Sequence, residues 1–160
     1  MSLTRDDVLN QAKREIMEIS IEELKARLDQ GSPLFLLDVR GREEVEQGYI
    51  EGAVHVPRGL LELNIEQVVQ DRSTPMIVYC AGGVRSALAA KTLQEMGYTD
   101  VVSMAGGFND WRDAGFPVAR PEPENHGTER KTAELESEIE QLRRQLEEKE
   151  RALTAAQRGK

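Results

Sequence analysis

Four short apolar runs alternate with helix-like segments, and this alternation limits the folds open to the chain. The runs occupy residues 34–39, 53–56, 76–80 and 101–104. Continuous apolar runs of this length are typical of strands buried on both faces, which occur in parallel sheets covered by helices. The sequence therefore predicts an α/β fold, with a small central parallel sheet and helices on both faces.

Helix signals fill the intervals between these runs. Two segments have the spacing of a capping box, in which a side-chain oxygen accepts from a free helical amide: Thr4-x-x-Asp7 and Ser20-x-x-Glu23. The second box opens a helix that we expect to stop at Gly31. Further helices are predicted around residues 60–68, over 86–96 and around Trp111.

A change of composition divides the chain near residue 121. Pro121, Pro123 and Gly127 interrupt the backbone pattern, and residues 124–160 beyond them hold 17 charged residues. We expect four segments: an N-terminal helical segment at 1–19, a domain at 20–121, a linker at 122–128 and a C-terminal α-helix at 129–158.

Charge and cysteine content exclude several classes of function. The net charge of −8 argues against a nucleic-acid partner, because phosphate binding requires basic surface. No apolar stretch reaches the roughly 18 residues of a membrane span, and charge at Arg5 and Asp6 argues against a signal peptide. One cysteine allows neither an internal disulfide nor a cysteine-based zinc site. We therefore expect a cytoplasmic protein with no metal, cofactor or membrane partner.

The cysteine lies where a predicted strand meets a helix. It opens the segment Cys80-Ala81-Gly82-Gly83-Val84-Arg85-Ser86. Two glycines permit positive φ, so that successive amides can point inward, and the helix start adds free amides and a positive dipole end. Arg85 can add a fixed charge. These features favour a reactive thiolate over the alternative, a structural cysteine buried at a strand end.

Four motifs together resemble the single-domain rhodanese family, over about residues 20–121. They are Leu37-Asp38-Val39-Arg40 with Glu44 after it, then residues 48–57, 78–87 and 106–111. The resemblance implies a small α/β fold and sulfane-sulfur transfer without a cofactor. In that chemistry Cys80 takes the outer sulfur of thiosulfate or a similar donor, holds it as a persulfide and passes it to cyanide or a thiol.

The resemblance also assigns roles to the residues around the cysteine. Cys80 is the catalytic nucleophile, and Asp38 and Ser86 support the site. The substrate-binding residues are Ala81, Gly82, Gly83, Val84, Arg85 and Arg40. We interpret Arg40 as a second contact to an anion, and Asp38 as a residue that orients Arg40 or the loop amides. A structural salt bridge beneath the loop is the alternative for both.

The length and composition of the cysteine loop limit the reactions that the site is expected to catalyse. From Cys80 to Arg85 the spacing is Cys-x₄-Arg, one residue shorter than the Cys-x₅-Arg loop of the fold's phosphatases, so sulfur transfer is favoured over phosphate chemistry. Ala81 stands where many thiosulfate-using members have a basic residue, which leaves the donor open. A single cysteine provides no resolving thiol, so we expect an external acceptor or a sulfur-relay protein. The alternative function is a binding or scaffold module.

The C-terminal segment carries a heptad pattern. Its a positions are Thr132, Ile139, Leu146 and Leu153, and its d positions are Leu135, Leu142, Lys149 and Ala156. Opposed g and e positions pair Lys131 with Glu136 and Glu138 with Arg143, which suits a parallel pair. The pattern predicts a homodimer through residues 129–156. Packing on the domain and binding of another protein's helix remain alternatives.

Overall fold

The computed structural model describes residues 2–122 and 126–159, and in the C-terminal helix it describes side chains from residue 133 onward. The chain divides into two compact units, Met1–Pro121 and Glu122–Lys160. The strands of the first unit are β1 (Met17–Ile19), β2 (Phe35–Asp38), β3 (Val54–His55), β4 (Met76–Tyr79) and β5 (Val101–Met104). Its helices are α1 (Arg5–Glu15), α2 (Ile21–Asp29), α3 (Arg42–Glu46), α4 (Leu61–Val68), α5 (Val84–Glu95) and α6 (Gly107–Asp113), with a 3₁₀ turn at Arg58–Leu60.

Within residues 2–122, the five strands form one parallel sheet in the order β1-β5-β4-β2-β3. Strand β4 is central, with β5 on one side and β2 on the other. Because all the strands run in the same direction, their carboxyl ends meet at one edge of the sheet. The segments that follow β2, β4 and β5 are therefore neighbours in space.

The sheet separates two apolar layers, because alternate side chains of each strand point to opposite faces. One layer packs against α4 and α5 and contains Leu37, Met76, Val78, Leu61, Ile65 and Leu93. The other packs against α2 and α6 and contains Leu36, Ile77, Val102, Leu24, Phe108 and Trp111. Both layers confirm the predicted α/β class with helices on both faces.

Of the two predicted capping boxes, the first is complete and the second is half formed. The Asp7 amide donates to Thr4 Oγ1 at 3.2 Å and the Thr4 amide donates to Asp7 Oδ2 at 2.9 Å, which completes the first capping box. At the start of α2 the Glu23 amide donates to Ser20 Oγ at 3.1 Å. The Glu23 carboxylate pairs instead with Arg27, at 2.7 Å, so the second box is half formed.

One strand was missed by the sequence analysis. Residues 17–19 fall within the segment expected to be helical, but they form the edge strand β1 beside β5. Only Ile19 of the three is buried, since β1 has a single neighbour in the sheet. Three residues with one apolar side facing the core carry no periodic pattern that could identify a strand.

The second unit contains the helix α7 (His126–Arg158), which begins three residues before the position expected from the sequence. Its apolar side chains are about half exposed or more, from 49% for Ile139 to 63% for Leu142. Residues 123–125 of the expected linker, and the side chains of Lys131 and Thr132, lie outside the described residues. No helix in the described part of the chain is long and apolar enough to cross a membrane.

Candidate active site

Cys80 follows the central strand β4 and is buried, with 1% of its surface exposed. Its sulfur accepts a hydrogen bond from the Gly83 amide, with 3.1 Å between Sγ and the nitrogen. Gly83 has φ of +97°, a conformation that turns its amide back toward the sulfur and caps α5. Gly82 does not adopt positive φ, so only one of the two loop glycines uses the freedom expected of both.

Helix α5 begins at Val84, slightly earlier than the expected start at Arg85 or Ser86. The first amides of an α-helix have no acceptor within the helix. The amides of Val84, Arg85 and Ser86 therefore have no acceptor within α5 and lie at its loop end. They add the positive end of the helix dipole to the surroundings of Cys80.

The loop is also held by the first turn of α6. The amide of Phe108 donates to the Cys80 carbonyl at 2.7 Å, and the amide of Asn109 donates to the Ala81 carbonyl at 3.0 Å. Gly107 approaches so closely that a Cβ there would lie 2.5 Å from both carbonyl oxygens. Glycine is required at this position because its backbone packs directly on the loop.

Two buried serines lie behind the sulfur. Ser86 Oγ is 3.5 Å from Cys80 Sγ, and Ser103 Oγ on β5 is 2.8 Å from Ser86 Oγ. Both serines are completely buried. Ser86 was expected to support the site, whereas Ser103 was not identified from the sequence. A single hydroxyl inside the apolar run of β5 was the signal that could have revealed it.

Arg85 forms a two-pronged ion pair with Glu44 of α3. Its Nη1 and Nη2 each donate to one carboxylate oxygen of Glu44 at 2.8 Å. The hydrogen bonds from Arg85 lower the Glu44 pKa to about 2 and in turn raise the pKa of Arg85. The guanidinium is thus committed to Glu44, a partner 41 residues away to which the sequence analysis assigned no role.

Asp38, the last residue of β2, forms a buried pair with Arg40. Arg40 is 2% and Asp38 1% exposed, and Arg40 Nη2 donates to Asp38 Oδ2 at 2.8 Å and to the Gly48 carbonyl at 2.7 Å. The guanidinium also lies 4.1 Å from the centre of the Phe108 ring. Burial by itself lowers the Arg40 pKa, but the hydrogen bonds and charge of Asp38 raise it above the ordinary value. This arrangement is the salt bridge considered as the alternative for both residues.

A cavity of about 770 Å³ opens beside the loop. Ala81 of the loop lines it, together with Arg40, Phe108, Arg112 and Arg120. Volumes of this order accommodate organic ligands of drug size. The cavity is therefore large enough for a molecule much bigger than a thiosulfate ion.

The ring nitrogens of His55 and Trp111 contact backbone carbonyl oxygens. His55 Nε2 is 2.6 Å from the Arg40 carbonyl oxygen, and Trp111 Nε1 donates to the Pro117 carbonyl at 2.8 Å. In the part of the chain that the structure describes, no three histidine, cysteine, aspartate or glutamate side chains form a group that could hold a metal ion.

The fold and loop together define a class of protein: a small parallel α/β domain that holds one buried cysteine at the end of its central strand. Residues 20–114 match the family model of the rhodanese-like domain, and the chain belongs to this family. A sulfurtransferase of Allochromatium vinosum is 33% identical over 107 residues, which cover 67% of this chain and 98% of the relative. The family and this relative support sulfur transfer as the general chemistry of the domain.

Solved structures with the same fold are described with different functions. A Rhodopseudomonas palustris protein of unknown function, described as a possible tyrosine phosphatase, is 35% identical with a TM-score of 0.70 and covers 74% of this chain and 96% of its own. A polysulfide-sulfur transferase homodimer of Wolinella succinogenes is 28% identical with a TM-score of 0.61, covering 74% and 89%. Because one neighbour is described as a possible phosphatase and the other as a sulfur transferase, the fold does not decide between the two reactions. The geometry of the cysteine loop has to decide it.

Proposed function

We propose that this protein is a sulfurtransferase in which Cys80 carries sulfur as a persulfide. The observation that carries the proposal is the 3.1 Å hydrogen bond from the Gly83 amide to Cys80 Sγ at the start of α5. Amide donors and a helix N-terminus stabilise a thiolate, which is the nucleophilic form of cysteine. The same donors can stabilise the negative charge of a persulfide, whose terminal sulfur lies next to Sγ.

The first half-reaction loads the cysteine. The Cys80 thiolate attacks the outer sulfur of thiosulfate, a new S–S bond forms, and the bond between the two sulfurs of thiosulfate breaks. The electron pair of the broken bond leaves with sulfite. The total charge is unchanged, since a thiolate and thiosulfate become a persulfide anion and sulfite. A polysulfide anion can donate sulfur in the same way, with a shortened polysulfide as the leaving group.

The second half-reaction unloads the cysteine. Cyanide or a thiolate attacks the terminal sulfur of the persulfide, and the Cys80 thiolate leaves with the electron pair of the S–S bond. Cyanide becomes thiocyanate, and a thiolate becomes a persulfide anion. The cavity beside Ala81, with a volume of about 770 Å³, has room for an organic thiol as the acceptor.

The loop geometry favours sulfur over phosphate. The Arg85 guanidinium is held by Glu44 at 2.8 Å through both terminal nitrogens, which leaves it less free to bind a phosphate. The Cys-x₄-Arg spacing is also one residue shorter than in the phosphatases of this fold. We therefore expect no phosphatase activity that depends on Cys80.

Mass spectrometry of the intact chain tests the proposal directly. Incubation with thiosulfate or polysulfide should add about 32 Da, one sulfur atom, and cyanide should remove it with release of thiocyanate. Cys80→Ser is the matched control and should gain no mass. Sulfur transfer by Cys80→Ser at the parent rate, or efficient Cys80-dependent hydrolysis of an aryl phosphate, would overturn the proposal. A chain that is folded but unreactive toward every donor would favour the scaffold alternative.

We also propose that α7 forms a parallel homodimer through residues 129–156. Leu135, Ile139, Leu142, Leu146 and Leu153 form its apolar stripe, and each of them is between 49% and 63% exposed. Glu138 at a g position faces Arg143 at an e position of a parallel partner, which gives charge complementarity.

Truncation separates the two proposals. A chain that ends at Pro123 should keep sulfur transfer per active site and lose the dimer mass seen by light scattering. A full-length chain that is monomeric would contradict the coiled coil. Loss of activity on truncation would indicate instead that the C-terminal segment contributes to the active domain.

A further inference from the structure

We propose that Ser103 is a positioning residue for Cys80 and acts through Ser86, as the outer member of a hydroxyl chain that donates to the thiolate. The inference rests on the proposed function, in which the thiolate is the reactive form. Neither the sequence motifs nor the similarity to other proteins assigns a role to Ser103. Its position on β5, rather than on the cysteine loop, separates it from the residues expected to bind substrate.

The distances form a continuous chain of hydrogen bonds. Ser103 Oγ lies 2.8 Å from Ser86 Oγ, and Ser86 Oγ lies 3.5 Å from Cys80 Sγ. Both serines are completely buried, so water does not compete for their hydroxyls. All four positions of β5 are buried, and the other three carry apolar side chains. A buried hydroxyl is costly unless it is hydrogen-bonded, and the bond that Ser103 makes leads to the sulfur.

The number of hydroxyl hydrogens determines the direction of the chain. If Ser103 donates to Ser86, the hydrogen of Ser86 is free to point at Sγ, and every donor is satisfied when Cys80 is a thiolate. If Cys80 is a thiol, the thiol and Ser103 both donate to Ser86, and the Ser86 hydrogen then has no acceptor among the described side-chain hydrogen bonds. A charged sulfur is also the stronger acceptor. The chain therefore favours the thiolate.

Two ion pairs lie on the elements beside the loop. They are Arg85 of α5 with Glu44 of α3, and Asp38 of β2 with Arg40. Gly83 adds a backbone amide from the loop, and α6 contributes the Phe108 amide to the Cys80 carbonyl. These groups stay in place when a serine hydroxyl is removed. Any change in the titration of Cys80 on removing a hydroxyl can then be assigned to the hydroxyl chain.

The test is a double-mutant cycle on the thiolate titration of the full chain. Cys80 is the sole cysteine, so ultraviolet absorbance of the thiolate reports one group. Ser86→Ala should raise the pH midpoint of thiolate formation by about one unit, as expected for a lost hydrogen bond to a charged group. Ser103→Ala should raise it by a smaller amount. In the Ser86→Ala background, Ser103→Ala should have no further effect, because its influence passes through Ser86.

Two controls separate positioning from packing. Ser103→Thr retains the hydroxyl and should restore the parent midpoint, while Ser73→Ala removes an exposed hydroxyl far from the loop and should change nothing. At pH values below the midpoint of thiolate formation, Ser103→Ala should form the persulfide more slowly than the parent protein. At high pH its rate should approach the parent rate. An unchanged midpoint of thiolate formation in Ser103→Ala would refute the proposed role of Ser103. So would a shift of the same size in the parent and in the Ser86→Ala background. The titration does not require sulfur transfer, so failure to load sulfur would count against the proposed function alone.

Discussion

Replacing Asp38 by asparagine tests whether Arg40 is a structural residue or a contact for the substrate. The change removes the charge of a carboxylate that is 1% exposed and receives three hydrogen bonds from the Arg40 side chain, at 2.8–3.2 Å. Arg40 is 2% exposed and would keep its charge without a paired carboxylate. Breaking such a buried pair from one side costs about 3–5 kcal/mol. That is a large part of the 5–15 kcal/mol typical of a small domain.

Urea denaturation followed by circular dichroism measures this loss. With an m-value of about 2 kcal/mol/M, the midpoint should fall by roughly 2 M. Glu62→Gln is the matched control, because it breaks an exposed ion pair with Arg58 and should cost less than about 1 kcal/mol. A midpoint for Asp38→Asn no lower than that of Glu62→Gln would refute the reasoning.

The double variant Asp38→Asn with Arg40→Met then separates the two roles of Arg40. Replacing both charges by groups of similar volume leaves no uncompensated charge, so most of the lost stability should return. If the double variant is folded and transfers sulfur, Arg40 acts through structure. If it is folded and no longer loads sulfur at Cys80, the Arg40 charge serves the donor, in line with our interpretation of Arg40 as a second contact to an anion.

Three further predictions concern the loop, the acid limb of stability and the C-terminal helix. Gly107→Ala should impair sulfur transfer far more than Gly31→Ala, since both have positive φ but only Gly107 would place a Cβ 2.5 Å from the loop carbonyls; equal rates would contradict the packing argument. The Glu44 pKa of about 2 means that its pairing with Arg85 stabilises the fold fully above pH about 4.5 and is lost as pH falls toward 2. In Glu44→Gln, the free energy of unfolding should therefore fall less between pH 4.5 and pH 2 than in the parent protein, by no more than about 1 kcal/mol because the pair is over a third exposed. An unchanged pH dependence of stability would contradict this. Lys149→Leu removes a charge from a d position and should strengthen the dimer in sedimentation, whereas weaker association would exclude the parallel register.

Local patterns in the sequence were sufficient for the elements that place the cysteine. The apolar runs at 34–39 and 76–80 predict strands because nearly continuous apolar residues are typical of strands buried on both faces. The glycine loop and the helix start after Cys80 follow from residues next to one another in the chain. Motif order and spacing over residues 20–121 were then enough to predict the rhodanese-like family.

Tertiary structure decided which side chains became partners. Arg85 and Arg40 were both expected to face an anion, yet each is bound to a carboxylate, and the Glu44 that holds Arg85 is 41 residues away. Ser103 reaches Ser86 across 17 residues, through the parallel packing of β5 beside β4 and α5. A sequence determines helices, strands and turns through neighbours a few residues apart. The pairing of charges and hydroxyls depends on which strand ends the fold brings to one edge, and that is settled only when the sheet has formed.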